Sequence, residues 1–354
     1  LAYVPEGSVV PAGEAWDGVP ARAVGRAPER APVTVPVEEL SPWLYTVALM
    51  ALRFAQAPLA ALPFTLLLLF GASLVGLDGP GLVRWLCEAG PSSQPLWWWA
   101  TIGCGVAAVP ATLFAQALFL RVSPKVPLGT HPRWSWLHLR LEVRSELVDA
   151  AGLWLSGTLF WPAWLRLAGM RIGRDCEVST ILDVLPEHTE LGGGSFLADG
   201  VYLGVPHQHQ GRVTVAASGF GERTFVGNHV VLPAGERLAN DVVLGVSTVA
   251  DSARMPAGTG WFGQPAMQLH RREVVVVDRR LTHTPGPLRY GNRVFWEALR
   301  ITLPVLPVWL GLWWFDAIAA AHPAGWMPGA AVATGATFVF AGVLALVVLV
   351  LKWL

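Results

Sequence analysis

Residues 225–250 read FVGNHVVLPAGERLANDVVLGVSTVA, with an apolar side chain at every sixth position from Val226: Leu232, Leu238, Leu244 and Ala250 follow. The residue after the apolar one is often small, as at Gly227, Ala239 and Gly245. A period of six matches neither the 3.6-residue helix nor the two-residue strand. It matches a parallel β-coil of triangular cross-section, one hexad per side, with the apolar side chains directed to the axis. Stacked coils bury that column, which a single coil leaves open to water.

The pattern extends toward the N-terminus. Ile172-Gly173 and Val178-Ser179 are six apart, as are Leu191-Gly192, Leu197-Ala198 and Leu203-Gly204. It breaks at residues 205–212, VPHQHQGR, before resuming at Val226. Polar loops that leave a rigid scaffold are where chemistry tends to sit. Histidine, which titrates near neutrality, suits general-base work, so His207 and His209 are candidates, the competing reading being a solvated loop tip. Asp199, in Phe196–Gly200, is placed one coil earlier. It is read either as a carboxylate that orients a histidine, by the logic of a catalytic triad, or as a turn residue bonded to backbone. Arg212 suits a phosphate or carboxylate, or a plain surface position. Gly192-Gly193-Gly194 lacks the lysine of a phosphate loop and is read as coil geometry. A zinc site from His207, His209 and His229 is set aside on spacing, and no metal is expected. His188, His270, His283 and His322 form no pattern.

The end of this region occurs twice. VPAGEAWDGVPARAV at 10–24 aligns with MPAGTGWFGQPAMQL at 255–269 at constant offset, pairing Pro11, Gly13, Trp16, Gly18 and Pro20 with Pro256, Gly258, Trp261, Gly263 and Pro265. The chain is therefore expected to be a fragment that opens with the tail of one domain copy and contains a second.

Hydrophobic residues make up 53% of the 354 and charged ones 14%. Soluble domains carry about 25% charge, so part of the chain belongs in lipid. Net charge is zero, which argues against a generally basic nucleic-acid binder. Phe54–Leu77, Leu96–Leu120 and Gly329–Leu351 contain no charge, and each reaches the roughly 20 residues that a spanning helix needs. A fourth run, Ile301–Ala321, contains Asp316. Trp97, Trp98, Trp99, Trp313 and Trp314 read as interfacial belts. Arg84 is the only basic residue between the first two spans, whereas Arg22, Arg26 and Arg30 precede them and Arg121, Lys125, Arg133, Arg140 and Arg144 follow. Arg271, Arg272, Arg279, Arg280, Arg289, Arg293 and Arg300 precede the last pair. The positive-inside rule then puts both repeat copies in the cytoplasm. Cys87, Cys104 and Cys176 have neither ligand nor disulfide spacing.

The fold class expected is membrane α plus all-β: transmembrane helical hairpins flanking a cytoplasmic β-helix. The expected divisions are a tail of a preceding β-helix domain (1–25), a transmembrane hairpin (41–121), amphipathic interfacial helices (122–169), the β-helix (170–270), a basic juxtamembrane segment (271–300) and a second hairpin (301–354).

The stretch from Phe225-Val226-Gly227-Asn228 to Gly263-Gln264-Pro265-Ala266 resembles the closing coils of left-handed β-helix, hexapeptide-repeat acyltransferases, with Gln264 in place of the family's Asn. A repeated copy threaded between membrane hairpins resembles, over nearly the whole chain, the C-terminal region of polylysine-synthetase-type nonribosomal peptide synthetases. His207 followed by Arg212-Val213 is similar to a pattern of those domains. The resemblance implies a left-handed helix and a catalytic His207, or else His209, with Asp199 in support. It implies that Arg212, Asn228, Gly245, Gly263 and Pro265 bind thioester or substrate. No cofactor is bound directly; the acyl donor is a carrier's phosphopantetheine thioester or coenzyme A. Implied partners are carrier and adenylation domains of the same synthetase, neighbouring β-helix domains and the lipid bilayer, not nucleic acid. The location implied is the bacterial inner membrane. A catalytically inert scaffold that positions carriers is the alternative function, and an exporter a third. The hairpins lack embedded charge pairs, which counts against the exporter.

Overall fold

A computed structural model describes residues 2–87, 95–270, 278, 284–303, 305–321 and 324–353. It divides into two compact units, Leu1–Arg53 with Phe114–Val294, and Phe54–Leu113 with Phe295–Leu354.

The hexads of the first unit form three parallel sheets, one per face of a β-helix. One face carries Arg171–Ile172, Thr189–Leu191 and Ser218–Phe220. The second carries Glu177–Val178, Phe196–Leu197, Phe225–Val226, Val243–Leu244 and Gly260–Phe262. The third carries Ile181–Leu182, Val201–Val205 and Val231–Pro233. Leu197, Leu203, Val226, Leu232 and Leu244 are fully buried, and Leu191, Leu238 and Ala250 nearly so. The hexad column is thus the core.

The small residue beside each apolar one has a steric reason. A Cβ on Gly173 would lie 2.3 Å from the backbone of Gly193, and one on Gly192 would lie 2.4 Å from that of Glu222. Adjacent coils approach too closely there for any side chain. At the corners Asp175, Arg223 and Asp241 adopt positive φ, the left-handed turn conformation that Asp tolerates better than most residues.

Phe225 pairs with Val243, eighteen residues on, which is one full coil. Phe196 pairs with Phe225, twenty-nine residues on. The eleven extra residues are the excursion that carries His207 and His209. The last strand, Gly260–Phe262, turns back to pair antiparallel with Met267–Leu269. Glu14–Asp17 and Arg22–Arg26 form the matching antiparallel hairpin of the first tail. The repeated sequence therefore makes the same local structure twice, and the two tails meet: Gln264 Nε2 donates to Asp17 Oδ1 at 3.1 Å.

The helices are α1 (Pro42–Leu74), α2 (Gly79–Cys87), α3 (Pro95–Trp98), α4 (Gly105–Val122), α5 (Trp136–Leu155), α6 (Phe160–Ala168), α7 (Pro287–Thr302), α8 (Val305–Ala320) and α9 (Trp326–Trp353). A π-helical turn, Trp99–Cys104, joins α3 to α4. Three stretches, Pro42–Leu74, Leu96–Val122 and Trp326–Val350, are long and apolar enough to cross a membrane. The fourth expected run is divided: α8 has 16 residues, short of the roughly 20 needed.

In the second unit, three of the tryptophans read as interfacial belts also pack against neighbouring helices, while Trp98 and Trp313 are exposed. Trp97 is buried, Trp99 Nε1 donates to Leu67 O at 2.8 Å and Trp314 Nε1 to Thr337 Oγ1 at 3.1 Å. Their size fills space left by small residues such as Gly71, where a Cβ would strike the Trp99 ring. Arg271, Arg272, Arg279 and Arg280 of the basic segment lie outside the described residues, as do His283 and His322.

Residues 122–169 are expected at the membrane interface, with Gly152–Leu165 there or under the soluble domain; the structure shows what they touch within the protein. Among them α5 buries Leu137, Leu139, Leu141, Val148, Ala151 and Leu155, and α6 buries Trp161, Trp164, Leu165 and Ala168. Both pack against the first coil. Trp161 Nε1 donates to Ser179 O, and Arg166 donates to Ile172 O and Gly173 O. These helices close the end of the apolar column, the role that capping elements serve in stacked repeats.

Candidate functional site

The excursion forms a hairpin, His207–His209 with Arg212–Val215, and Arg212–Val215 pairs in turn with Gly129–Pro132. The sheet owes one strand to a segment some 80 residues earlier. Directly opposed residues of an antiparallel ladder share a face. His207, Thr214 and Thr130 lie on one face, with His209, Arg212 and Pro132. Gln208, Val213 and His131 lie on the other.

On the first face His207 is exposed and His209 half-buried. Their rings stack with centroids 6.2 Å apart. His209 Nε2 lies 3.0 Å from Pro28 O, so the segment that follows the first tail passes this hairpin. Arg212 Nη1 is 3.8 Å from Glu39 Oε2. Thr130 and Thr214 share a hydroxyl–hydroxyl bond of 2.8 Å that ties the strands together.

The other expected site residues lie elsewhere on the β-helix. Asp199 accepts from Ser179 Oγ and, at 3.4 Å, from Thr180 Oγ1, and its backbone N–H donates to Asn228 Oδ1 at 3.2 Å. Its described hydrogen bonds reach neither His207 nor His209. The structure thus brings His207 to His209 and Asp199 to Asn228, but joins the two pairs by no described bond. At Gly245 the space a side chain would fill is taken by the Phe262 ring, 2.4 Å from a Cβ. Gly263 and Pro265 form the turn of the closing hairpin, where Pro265 Cδ lies 3.6 Å from the place of a Cβ on Gly18 in the first tail. His229 sits at the corner beside Gly200, whose missing Cβ would lie 2.6 Å from His229 Nδ1. Among the described residues no group of three or more His, Cys, Asp or Glu could hold a metal ion.

The second face bears a set of residues that no sequence motif singles out. His131 is fully buried and His138, on α5, is 2% exposed. Their ring centroids are 6.0 Å apart. Both ring nitrogens of His131 and Nδ1 of His138 are buried without a hydrogen-bond partner. Burial lowers the pKa of His131, and burial together with His131 and Arg133 lowers that of His138 to about 4. Both are neutral at pH 7. The Tyr45 ring stacks on His138, and His138 Nε2 is 3.3 Å from Glu142 Oε1.

One and two turns beyond Glu142 along α5 stand Glu146 and Asp149, and Asp183 directly follows the coil strand Ile181–Leu182. Burial and neighbouring carboxylates raise the pKa of Glu142, and raise that of Asp149 to about 6; burial raises that of Asp183. Asp149 Oδ1 is buried without a partner. Elsewhere on α5, Arg144 forms a two-point ion pair with Glu187, each 1% exposed, Nε–Oε1 at 2.8 Å and Nη2–Oε2 at 2.9 Å. Arg144 also donates to Ser123 Oγ and Leu120 O. A pair this well bonded offsets the cost of its burial.

The coils and their inserted histidine hairpin define a hexapeptide-type parallel β-helix. No protein-family model matches the chain. The chain is 29% identical over 324 residues to the Delta-poly-L-ornithine synthetase of Acinetobacter baumannii (strain AB307-0294) and is its homologue over that stretch. The match takes in 86% of this chain and 23% of the synthetase, so the chain spans about a quarter of that relative's length. Solved structures similar to the chain include a maltose O-acetyltransferase from Clostridium difficile 630, at 13% identity and TM-score 0.27, covering 41% of this chain and 94% of that one. Another is a galactoside acetyltransferase in complex with coenzyme A, at 18% identity and TM-score 0.27, covering 52% of this chain and 88% of that one.

Proposed function

We propose that the chain is the membrane-embedded part of a nonribosomal peptide synthetase, in which the acyltransferase-like β-helix forms amide bonds from aminoacyl thioesters. The observation that carries this reading is the synthetase likeness along most of the chain, with an exposed histidine hairpin inserted in the β-helix. The thioester is substrate, presented on a carrier's phosphopantetheine arm or on coenzyme A. His207, free of the strand-to-segment bond that occupies His209, takes the proton from the attacking amine as its nitrogen bonds to the thioester carbonyl and the thiol leaves. Pro42–Leu74 and Leu96–Val122 cross the bacterial inner membrane as one hairpin, and Trp326–Val350 crosses it with the shorter α8 packed beside it as the second. The β-helix is left-handed and cytoplasmic, and its neighbours are further β-helix copies and the carrier domains.

A second reading, an inert scaffold that positions carriers, draws on one observation: the described bonds of Asp199 reach neither histidine. The two readings separate in full-length synthetase in membranes. His207→Ala is expected to lower coupling by about 100-fold or more while carrier loading is unchanged. Unchanged coupling in both His207→Ala and His209→Ala establishes the scaffold reading instead.

A further inference from the structure

We propose that α7 lies along a phospholipid surface, its apolar side among the acyl chains and its arginine side toward the phosphates. The proposal rests on the membrane reading above and adds a lipid contact which that reading does not assign.

α7 is amphipathic along its whole length. At a repeat of 3.6 residues, Leu288, Val294, Phe295, Ala298, Leu299 and Ile301 fall on one side. Arg289, Arg293, Glu297 and Arg300 fall on the other. Tyr290 and Trp296 stand at the two borders between them. Rings with a polar edge favour such a border, where hydrocarbon gives way to headgroups.

The polar side is the one held by the protein. Arg293 Nη2 donates to Gly157 O and to Glu177 Oε1, each at 3.3 Å. The apolar side is left uncovered. Leu288 is 90% exposed, Phe295 58%, and no residue of α7 is buried. A helix patterned in this way ordinarily turns its apolar side to a core. Here no core covers it among the described residues.

Charge and chain position name the occupant. With Arg293 paired to Glu177, Arg289, Arg300 and Glu297 give the rest of the polar side a net positive charge, and guanidinium suits phosphate. A helix with a basic polar side, aromatic borders and modest overall apolar content lies in a membrane interface rather than across the membrane. α7 ends at Thr302, α8 begins at Val305, and α9 beyond it is long and apolar enough to cross. The uncovered side therefore belongs to the segment that precedes, along the chain, the entry into lipid.

The test is the depth of nitroxide labels in the full chain, reconstituted into vesicles of phosphatidylcholine and phosphatidylglycerol. Labels are attached in turn at Leu288→Cys, Phe295→Cys, Arg289→Cys and, within α9, Phe338→Cys. The background carries Cys87→Ser, Cys104→Ala and Cys176→Ser. Dissolved oxygen concentrates in lipid and a nickel chelate in water. The oxygen-to-nickel collision ratio at Leu288 and Phe295 is expected to exceed that at Arg289 by at least about threefold. Low collision with both agents at Leu288 and Phe295 would mean a protein partner, and a ratio equal to that at Arg289 would mean water; either overturns the proposal. The label at Phe338 separates the two ways of failing. An oxygen-rich Phe338 beside a water-facing Leu288 removes the α7 contact alone, whereas a water-facing Phe338 removes the membrane reading with it. Should the cysteine replacements unfold the chain, amide exchange of residues 287–302 in vesicles decides. Phe295→Asp, at an exposed position, is expected to speed that exchange about tenfold over the unaltered chain, and equal exchange in the two would overturn the proposal.

Discussion

The two faces of one small sheet carry two pairs of histidines in opposite circumstances. His207 and His209 stack at the protein surface. His131 and His138 are sealed beneath the sheet, kept neutral by burial, and connected through Glu142 to a run of carboxylates. Both pairs depend on the strand Gly129–Pro132, which supplies His131 and also supports the hairpin bearing His207. The difference teaches that a rigid backbone ladder can separate reactive side chains by alternation alone. The outer pair can exchange protons with water and an incoming substrate, whereas the inner pair is closed off from both.

The comparison breaks most readily where the inner face is most buried. Arg144→Ala strands Glu187 without its partner and is expected to destabilise the first unit by about 3–5 kcal/mol, read as a lowered thermal midpoint in detergent. Arg223, whose guanidinium bonds Asp241 at an exposed corner, is expected to leave that midpoint unchanged when replaced by Ala, because exposed pairs are screened by solvent. Equal loss in both variants would mean that the inner face is not specially buried.

Next in size is the activity of the outer face. His207→Ala is expected to cost about 100-fold in coupling, roughly 2.7 kcal/mol of barrier, with the thermal midpoint within about 0.5 kcal/mol of the parent. A variant that loses stability in step with activity would place His207 in the framework instead.

The smallest effects concern pH and sharpen the inner face. The folded state releases the His138 proton near pH 4 while the unfolded state keeps it to about 6.5, so His138 makes stability rise with pH across that window. Asp149 does the reverse. Its folded form keeps a proton to about pH 6 and its unfolded form only to about 3.8, so stability falls as pH rises between them. Glu142 and Asp183, raised in the same direction, add to that fall. Thermal midpoints from pH 4 to 6.5 should therefore fall more steeply in His138→Gln and less steeply in Asp149→Asn. Parallel curves would show that neither group titrates as its surroundings imply.

The hexad column is legible in the sequence, because each buried position repeats at a period that only a stacked coil satisfies. Leu197, Leu203, Val226, Leu232 and Leu244 are all fully buried. The duplicated tail is legible for a similar reason: the same residues at the same spacing make the same hairpin. The histidine excursion stands out as a break in a regular pattern. The roles of α5 and α6 are less legible. Their apolar residues alternate with charges, which reads equally well as a helix at a lipid surface or as one against a protein face. Trp161 and Arg166 show the contact with the protein face by bonding to coil carbonyls.

Composition and periodicity by themselves determined the stacked coil and the apolar stretches, because both depend on local spacing and on removing hydrocarbon from water. Only the tertiary structure decided what lies under the histidine sheet. His131, His138, Glu142, Asp149 and Asp183 come from a strand, a helix and the end of a coil strand, share no period, and acquire their altered protonation from burial and from one another. Those two causes exist only once the three elements have packed.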